Sequence, residues 1–188
     1  MADEAGQVRR EELSAEGEAR RRTALAQIRQ YGDPVLRLRA REVESFDGDL
    51  ARLVERMKQL MADANGVGLA ANQVGVLRRV LVLHPDREGE AIGLVNPRIV
   101  ESAPRTEIGE EGCLSLQGVL VPVERSAEVT IEAEDLEGNT VRLELHELAA
   151  RVLQHEIDHL DGVLIIDRTT PESRREALGV LRPRLVLG

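Results

Sequence analysis

The sequence has no tryptophan, one tyrosine (Tyr31) and one phenylalanine (Phe46), so Leu, Val, Ile and Ala must fill any core. Cys113 is the only cysteine, which excludes an internal disulfide and leaves a thiol available in a reducing compartment. Lysine is nearly missing as well: Lys58 is the only one among 25 basic residues, which reads as coding bias more than chemistry. No apolar stretch approaches the ~20 residues that a membrane-crossing helix needs, and the first residues lack the hydrophobic run of a secretory signal. Those residues are Arg-rich, but Asp3, Glu4, Glu11, Glu12, Glu16 and Glu18 do not suit an organellar transit peptide. A cytoplasmic protein with no membrane partner is expected. The net charge of -9 argues against nucleic acid as a direct substrate.

What is present is enough for an ordinary globular domain: 188 residues, 42% hydrophobic and 31% charged. Residues 1–22 are polar, with few groups to anchor them, and read as a mobile or loosely helical extension ahead of a domain over 23–188. The run Arg20, Arg21, Arg22 reads as part of that solvated stretch.

From Asp47 to Asn65 the apolar residues Leu50, Leu53, Val54, Met57, Leu60, Met61 and Ala64 keep helical spacing, and Gly66 stands where a C-cap is expected. Strand-like runs follow at Val80 to Leu83, Ile92 to Val95, Thr106 to Ile108 and Val119 to Val123. Val129, Ile131 and Ala133 alternate with polar residues, as do Val141, Leu143 and Leu145, with a hairpin turn at Glu137, Gly138 and Asn139. A second helix is predicted from about His146 to Leu160, and a third near 171–181 with Thr170 as N-cap and Pro171 at its first position. The fold class this implies is α+β, mostly antiparallel sheets packed around a central helix.

That central helix carries His155, Glu156 and His159 in an H-E-x-x-H pattern. Two histidines four residues apart project from one helix face and can reach one ion, while Glu156, about 100° around the helix, can address a water on it as general base. His84 and His146 read as ordinary structural histidines. A catalytic metal site needs a third protein ligand and an open position, and Cys113, in Glu111-Gly112-Cys113-Leu114-Ser115, is the natural candidate. A thiolate with two imidazoles is soft enough for iron or zinc. The run Gly66-Val67-Gly68-Leu69-Ala70-Ala71-Asn72-Gln73 reads as a small-residue loop open to close backbone approach, and its spacing is not that of a phosphate-binding loop.

Gly66 to Gln73, Glu111 to Ser115 and His155 to His159 together resemble the three signature motifs of the peptide deformylases, in that family's order. The similarity begins near Ala24; Gln117 stands where proline is common in the family. The resemblance implies a metal-dependent hydrolase that removes the N-formyl group from formyl-methionine on new polypeptides. It implies one divalent ion on Cys113, His155 and His159, with iron(II) the first candidate and nickel, cobalt and zinc as substitutes. Glu156 would move the proton, and the Gln73 side-chain amide and the Leu114 backbone N–H would face the formyl oxygen. Gly68 would permit close approach, and Val67, Leu148, the stem of Arg151 and Val152 would hold the methionine side chain. An extended peptide could add beside Gly66 to Gly68 and Glu110 to Gly112. Implied partners are N-formyl-methionyl peptides and nascent chains, with the ribosome as a further one. A zinc endopeptidase and a non-catalytic metal-binding protein stay open as alternatives, the first disfavoured by an upstream cysteine ligand and the second by the presence of Glu156 and Gln73.

Overall fold

The computed structural model describes residues 14–85 and 89–182. Its helices are α1 (Ala15–Leu25), α2 (Gly48–Asp63), α3 (Glu147–Leu160) and α4 (Pro171–Leu181). The strands are β1 (Gly68–Ala70), β2 (Val80–Leu83), β3 (Ile92–Ser102), β4 (Thr106–Gly112), β5 (Leu120–Ser126), β6 (Glu128–Glu134) and β7 (Thr140–His146). One antiparallel sheet runs β1-β2-β3-β6-β7, and β4 and β5 form a separate antiparallel pair. The class is α+β, and no helix among the described residues is long and apolar enough to cross a membrane.

The strand period of two decides how the large sheet is covered. On β2, Val80 and Val82 join the α2 cluster, where Leu50, Val54, Met57, Leu60 and Met61 are buried. Leu81 and Leu83 point the other way, into the cluster with Val152, Leu153, Ile157 and Leu160 of α3. The sheet is therefore sandwiched between two helices, and the motif helix is held on its inner face. A third cluster joins Val121 and Val123 of β5 to Ala177 of α4, with Cys113 and Leu116 inside it.

Several elements differ from the expectations. The left-handed residue that ends α2 is Asn65, at φ 55, and not Gly66, whose N–H closes the turn onto Met61 O at 2.8 Å. The expected loop from Gly66 to Gln73 contains β1, paired with β2, followed by a 3-10 turn at Ala71–Val74. Small residues here serve close packing, since Leu69, Ala70 and Ala71 are all fully buried. β3 continues well past Val95, through register shifts at Val95/Arg98 and Ile99/Glu101 that absorb Asn96 at φ 50 and Pro97. β4 likewise runs on from Ile108 to Gly112.

The boundary drawn at residue 22 falls inside α1. Ser14 caps that helix by accepting from Gly17 N, Ala24 and Leu25 are buried with the α2 cluster, and Arg21 Nε donates to Ala64 O at 3.3 Å. Residues 1–13 and Pro183 lie outside the described residues. The hairpin at 137–139 is present, with the Asp135 carboxylate accepting from Glu137 N and Asn139 N and Gly138 at φ 82. α4 begins as expected, with Thr170 accepting from Ser173 N.

Candidate metal centre

α3 places His155 and His159 one turn apart with their Nε2 atoms 3.2 Å from each other. Cys113 follows directly on the last residue of β4, and its Sγ lies 3.2 Å from His159 Nε2. The three donor atoms fall within 4.8 Å of one another and all three residues are buried. His155 Nδ1–H donates to Glu111 Oε2 at 3.0 Å, which turns Nε2 toward the cluster. Burial lowers the His155 pKa, but the hydrogen bonds to Cys113 and Glu111 outweigh it and hold the pKa well above the usual histidine range; burial and the charge of His155 push His159 well below it. Two nitrogens and a sulfur converging on one point are a poor arrangement for hydrogen bonding and a good one for a shared cation.

Glu156 sits beside this cluster on the same helix. Burial raises its pKa to about 7, with Glu111 adding to the shift and the charges of His155 and Arg125 opposing it. Its Oε2 has no hydrogen-bond partner among the described residues. A Cβ on Gly68 would lie 2.5 Å from Glu156 Oε1 and 2.8 Å from Val152 Cγ1, so only glycine at 68 lets the β1 backbone meet this carboxylate. Gln73 is fixed by Ala70 N, which donates to its Oε1 at 2.8 Å. Its Nε2 is thereby turned toward Ser115 Oγ at 3.1 Å and Cys113 Sγ at 3.7 Å.

These groups line an open cleft of ≈ 320 Å³. Among the expected site residues, Val67, Gly68, Gln73, Gly112, Cys113, Leu114, Arg151, Val152, His155 and Glu156 line it, and His159 closes the cluster beneath. Gly66, Glu110 and Leu148 do not. A Cβ on Gly66 would meet Leu114 Cδ1 at 2.8 Å, Glu110 is exposed on β4, and Leu148 packs half-buried against the α3 cluster. Arg151 presents its stem to the cleft while its guanidinium donates to Glu111 Oε1 at 2.9 Å, Val123 O at 2.8 Å and Glu107 O at 2.7 Å. Gln117 Nε2 reaches Gln30 Oε1 at 2.9 Å, and Gln30 in turn donates to Leu114 O, so a glutamine ties down the turn after Ser115.

The sequence reading missed the charged network under the site. Glu111, fully buried, accepts from Arg125 Nε at 2.9 Å and Nη2 at 3.0 Å as well as from Arg151 and His155. Burial works against its charge, yet the bonds from His155 and Arg125 win and hold its pKa at about 2. Arg125 Nη1 continues to Asp158 Oδ2 at 2.6 Å, and Arg168 donates to both oxygens of Asp158. A signal was available: Arg125 follows Val121 and Val123 at the inward positions of β5, and Asp158 lies between two buried residues of α3.

An α+β fold with a buried thiol and two imidazoles, flanked by a carboxylate of raised pKa at the end of a cleft, defines a protein built to hold a metal ion beside a proton acceptor. The family model described as polypeptide deformylase matches residues 25–175. The peptide deformylase of Thermotoga neapolitana is 47% identical over 159 residues, covering 85% of this chain and 93% of that one. Peptide deformylase 1 of Corynebacterium glutamicum is 46% identical over 161 residues, 85% of this chain and 95% of that one. The crystal structure of the Thermotoga maritima peptide deformylase superposes with a TM-score of 0.74 at 48% identity, covering 77% of this chain and 97% of that one. A Plasmodium falciparum peptide deformylase in complex with an inhibitor gives 0.76 at 36% identity, covering 82% and 96%. The chain belongs to the polypeptide deformylase family, and it is an enzyme.

Proposed function

We propose that this chain hydrolyses the N-formyl group of formyl-methionine at the start of newly made polypeptides, releasing formate, in the cytoplasm and on chains emerging from the ribosome. The observation that carries the reading is the meeting of Cys113 Sγ, His155 Nε2 and His159 Nε2 within 4.8 Å beside the Glu156 carboxylate. Those three residues hold one divalent cation, iron(II) by preference for a mixed thiolate and imidazole set, with nickel, cobalt or zinc able to substitute. Such a cation supplies Lewis acidity, which brings the pKa of a water from roughly 15.7 to about 7.

The chain's own residues do the rest. Glu156, with its pKa raised to about 7, accepts the proton of the attacking water and delivers it to the departing nitrogen. Negative charge grows on the formyl oxygen, where the Gln73 amide, aimed by its bond from Ala70, and the Leu114 backbone N–H donate; one such donor is worth roughly 3–4 kcal/mol. Glu111 keeps His155 in the tautomer that offers Nε2. Val67, the Arg151 stem and Val152 surround the methionine side chain, and the glycines at 68 and 112 let its backbone approach.

The test measures metal content and formate release from formyl-Met-Ala-Ser on the same oxygen-free preparations. Cys113→Ala should lose metal and activity together. Glu156→Gln should keep about one metal per chain and lose at least ~10²-fold in turnover. Near-normal turnover in Glu156→Gln sinks the proton-acceptor role, full metal affinity in Cys113→Ala sinks the ligand set, and internal peptide cleavage without formate sinks the reaction.

A further inference from the structure

Ile108 is 74% exposed, the most exposed of the large hydrophobic residues described, and it lies on the strand that leads out of the cleft. Nothing in the packing of the domain calls for an isoleucine there. Its place on β4 suggests what does.

β4 pairs with β5 along one edge only, and its other edge meets no named strand. Pro122 stands opposite Glu110. Proline has no N–H to give, and the Pro122 carbonyl accepts instead from Thr169 Oγ1 at 2.7 Å. The pair 110/122 therefore exchanges no ladder bonds, and Glu110 turns its N–H and C=O to the open edge. By the alternation of an antiparallel ladder, Ile108 and Gly112 point theirs the same way. Three residues thus offer backbone groups along one line, which starts at the cleft lining at Gly112 and ends at Ile108.

The direction of travel follows from the two ends of that line. Beyond Gly112 the chain enters the buried cluster at Cys113, whereas toward Ile108 the strand becomes exposed. A peptide whose formyl group sits at the cluster can only leave antiparallel to β4. The methionine side chain must reach Arg151 and Val152, on the face where Gly109 and Glu111 meet Arg151, so the second residue and not methionine stands beside Gly112, and the sixth comes beside Ile108, about 13 Å further on at ~3.3 Å per residue. Residues directly opposite in an antiparallel pair share a face, so that sixth side chain would lie against Ile108. Exposed Glu110 and Glu124, the latter directly across from Ile108, flank the spot and disfavour an acidic residue.

We propose that substrate contact extends along the open edge of β4 to Ile108, which reads the sixth residue of the formyl-peptide and favours an apolar side chain there. The proposal rests on the deformylase reading, and the experiment separates the two. KM is measured on the metal-loaded enzyme for formyl-Met-Ala-Ser and for hexapeptides that extend it with Ala-Ala-Leu or Ala-Ala-Asp. The leucine hexapeptide should have a KM at least about threefold below the tripeptide, in line with one cross-strand apolar pair, and the aspartate hexapeptide should show no gain. In Ile108→Ser the ratio of tripeptide to leucine-hexapeptide KM should fall to about one. Equal KM for all three peptides in the unsubstituted enzyme overturns the proposal, as does a length gain that survives Ile108→Ser. So does a concentration-dependent dimer, seen by sedimentation and abolished by Ile108→Ser, with no length effect, since the edge then belongs to a second copy. No formate from any peptide defeats the deformylase reading itself; formate from the tripeptide without a length effect defeats only the extension to Ile108.

Discussion

α2 and α3 flank the same sheet, are of similar length and bury one face each, yet they bury different things. α2 puts Leu50, Val54, Met57, Leu60 and Met61 inside, and no polar residue. α3 buries Val152, Leu153, Ile157 and Leu160, and with them His155, Glu156, Asp158 and His159. An apolar face is stabilised by leaving water; a charged group loses free energy on the same transfer unless a partner offsets it. Asp158 has Arg125 and Arg168, and His155 has Glu111. Glu156 Oε2 has no such partner among the described residues, and the pKa rises to about 7. The difference between the helices teaches where to look for chemistry: at the buried charge whose cost is left uncompensated.

Replacing the partner should therefore do more damage than thinning the core. Glu111→Gln leaves buried Arg125 with Asp158 alone of its two carboxylate partners and takes the counter-charge from Arg151, an expected loss of about 3–5 kcal/mol in stability. It also loosens His155, so metal affinity should fall about 10- to 100-fold. Its pH signature has a definite sign. The folded pKa of about 2 lies below the ordinary value of 4.5, so the stabilisation is present above pH 4.5 and is lost as pH falls toward 2. Urea unfolding across that window should show a shallower acid limb for Glu111→Gln. An unchanged limb would mean that other carboxylates carry the acid sensitivity.

On the apolar side, Met57→Ala should cost about 2–5 kcal/mol through the cavity it leaves among Leu50, Val54 and the sheet. Metal affinity, measured by competition with a chromophoric chelator, should stay within about twofold of the parent. If Met57→Ala weakened metal binding as much as Glu111→Gln, the two faces of the sheet would not be separable and the comparison would collapse.

The smallest effect is expected at α1. Arg21→Ala removes one partly exposed bond to the Ala64 carbonyl at the end of α2, worth about 0.5–1.5 kcal/mol, and turnover on formyl-Met-Ala-Ser should not change. A loss of activity larger than the loss of stability would join this helix to the site, since α2 leads directly into the Gly66 to Gly68 wall.

Periodicity explains what could be read without coordinates. A 3.6-residue repeat is a local property, so α2 and the placing of His155, Glu156 and His159 on one buried helical face were legible, as was the hairpin at 137–139 from its turn residues. The extent of β3 was not, because Asn96 and Pro97 break its alternation and a tertiary ladder carries the strand across them. Gly66 looked like the cap of α2, but crowding against Leu114, distant in sequence, is what a side chain there would meet, and Asn65 takes the left-handed turn.

The sequence by itself determined the donor chemistry: one thiol, two imidazoles in register and a carboxylate between them, each identifiable from residue type and local spacing. Only the tertiary structure decided that Cys113, 46 residues from His159, comes within 3.2 Å of it, and that Gly68 of another strand makes room for Glu156. It also decided that Glu111, Arg125 and Asp158, which alone look like solvated charges, compensate one another under the site. Local spacing sets which way a side chain points, but whether a buried charge is satisfied depends on partners brought from other elements by the packing of the sheet, the β4 and β5 pair and α3.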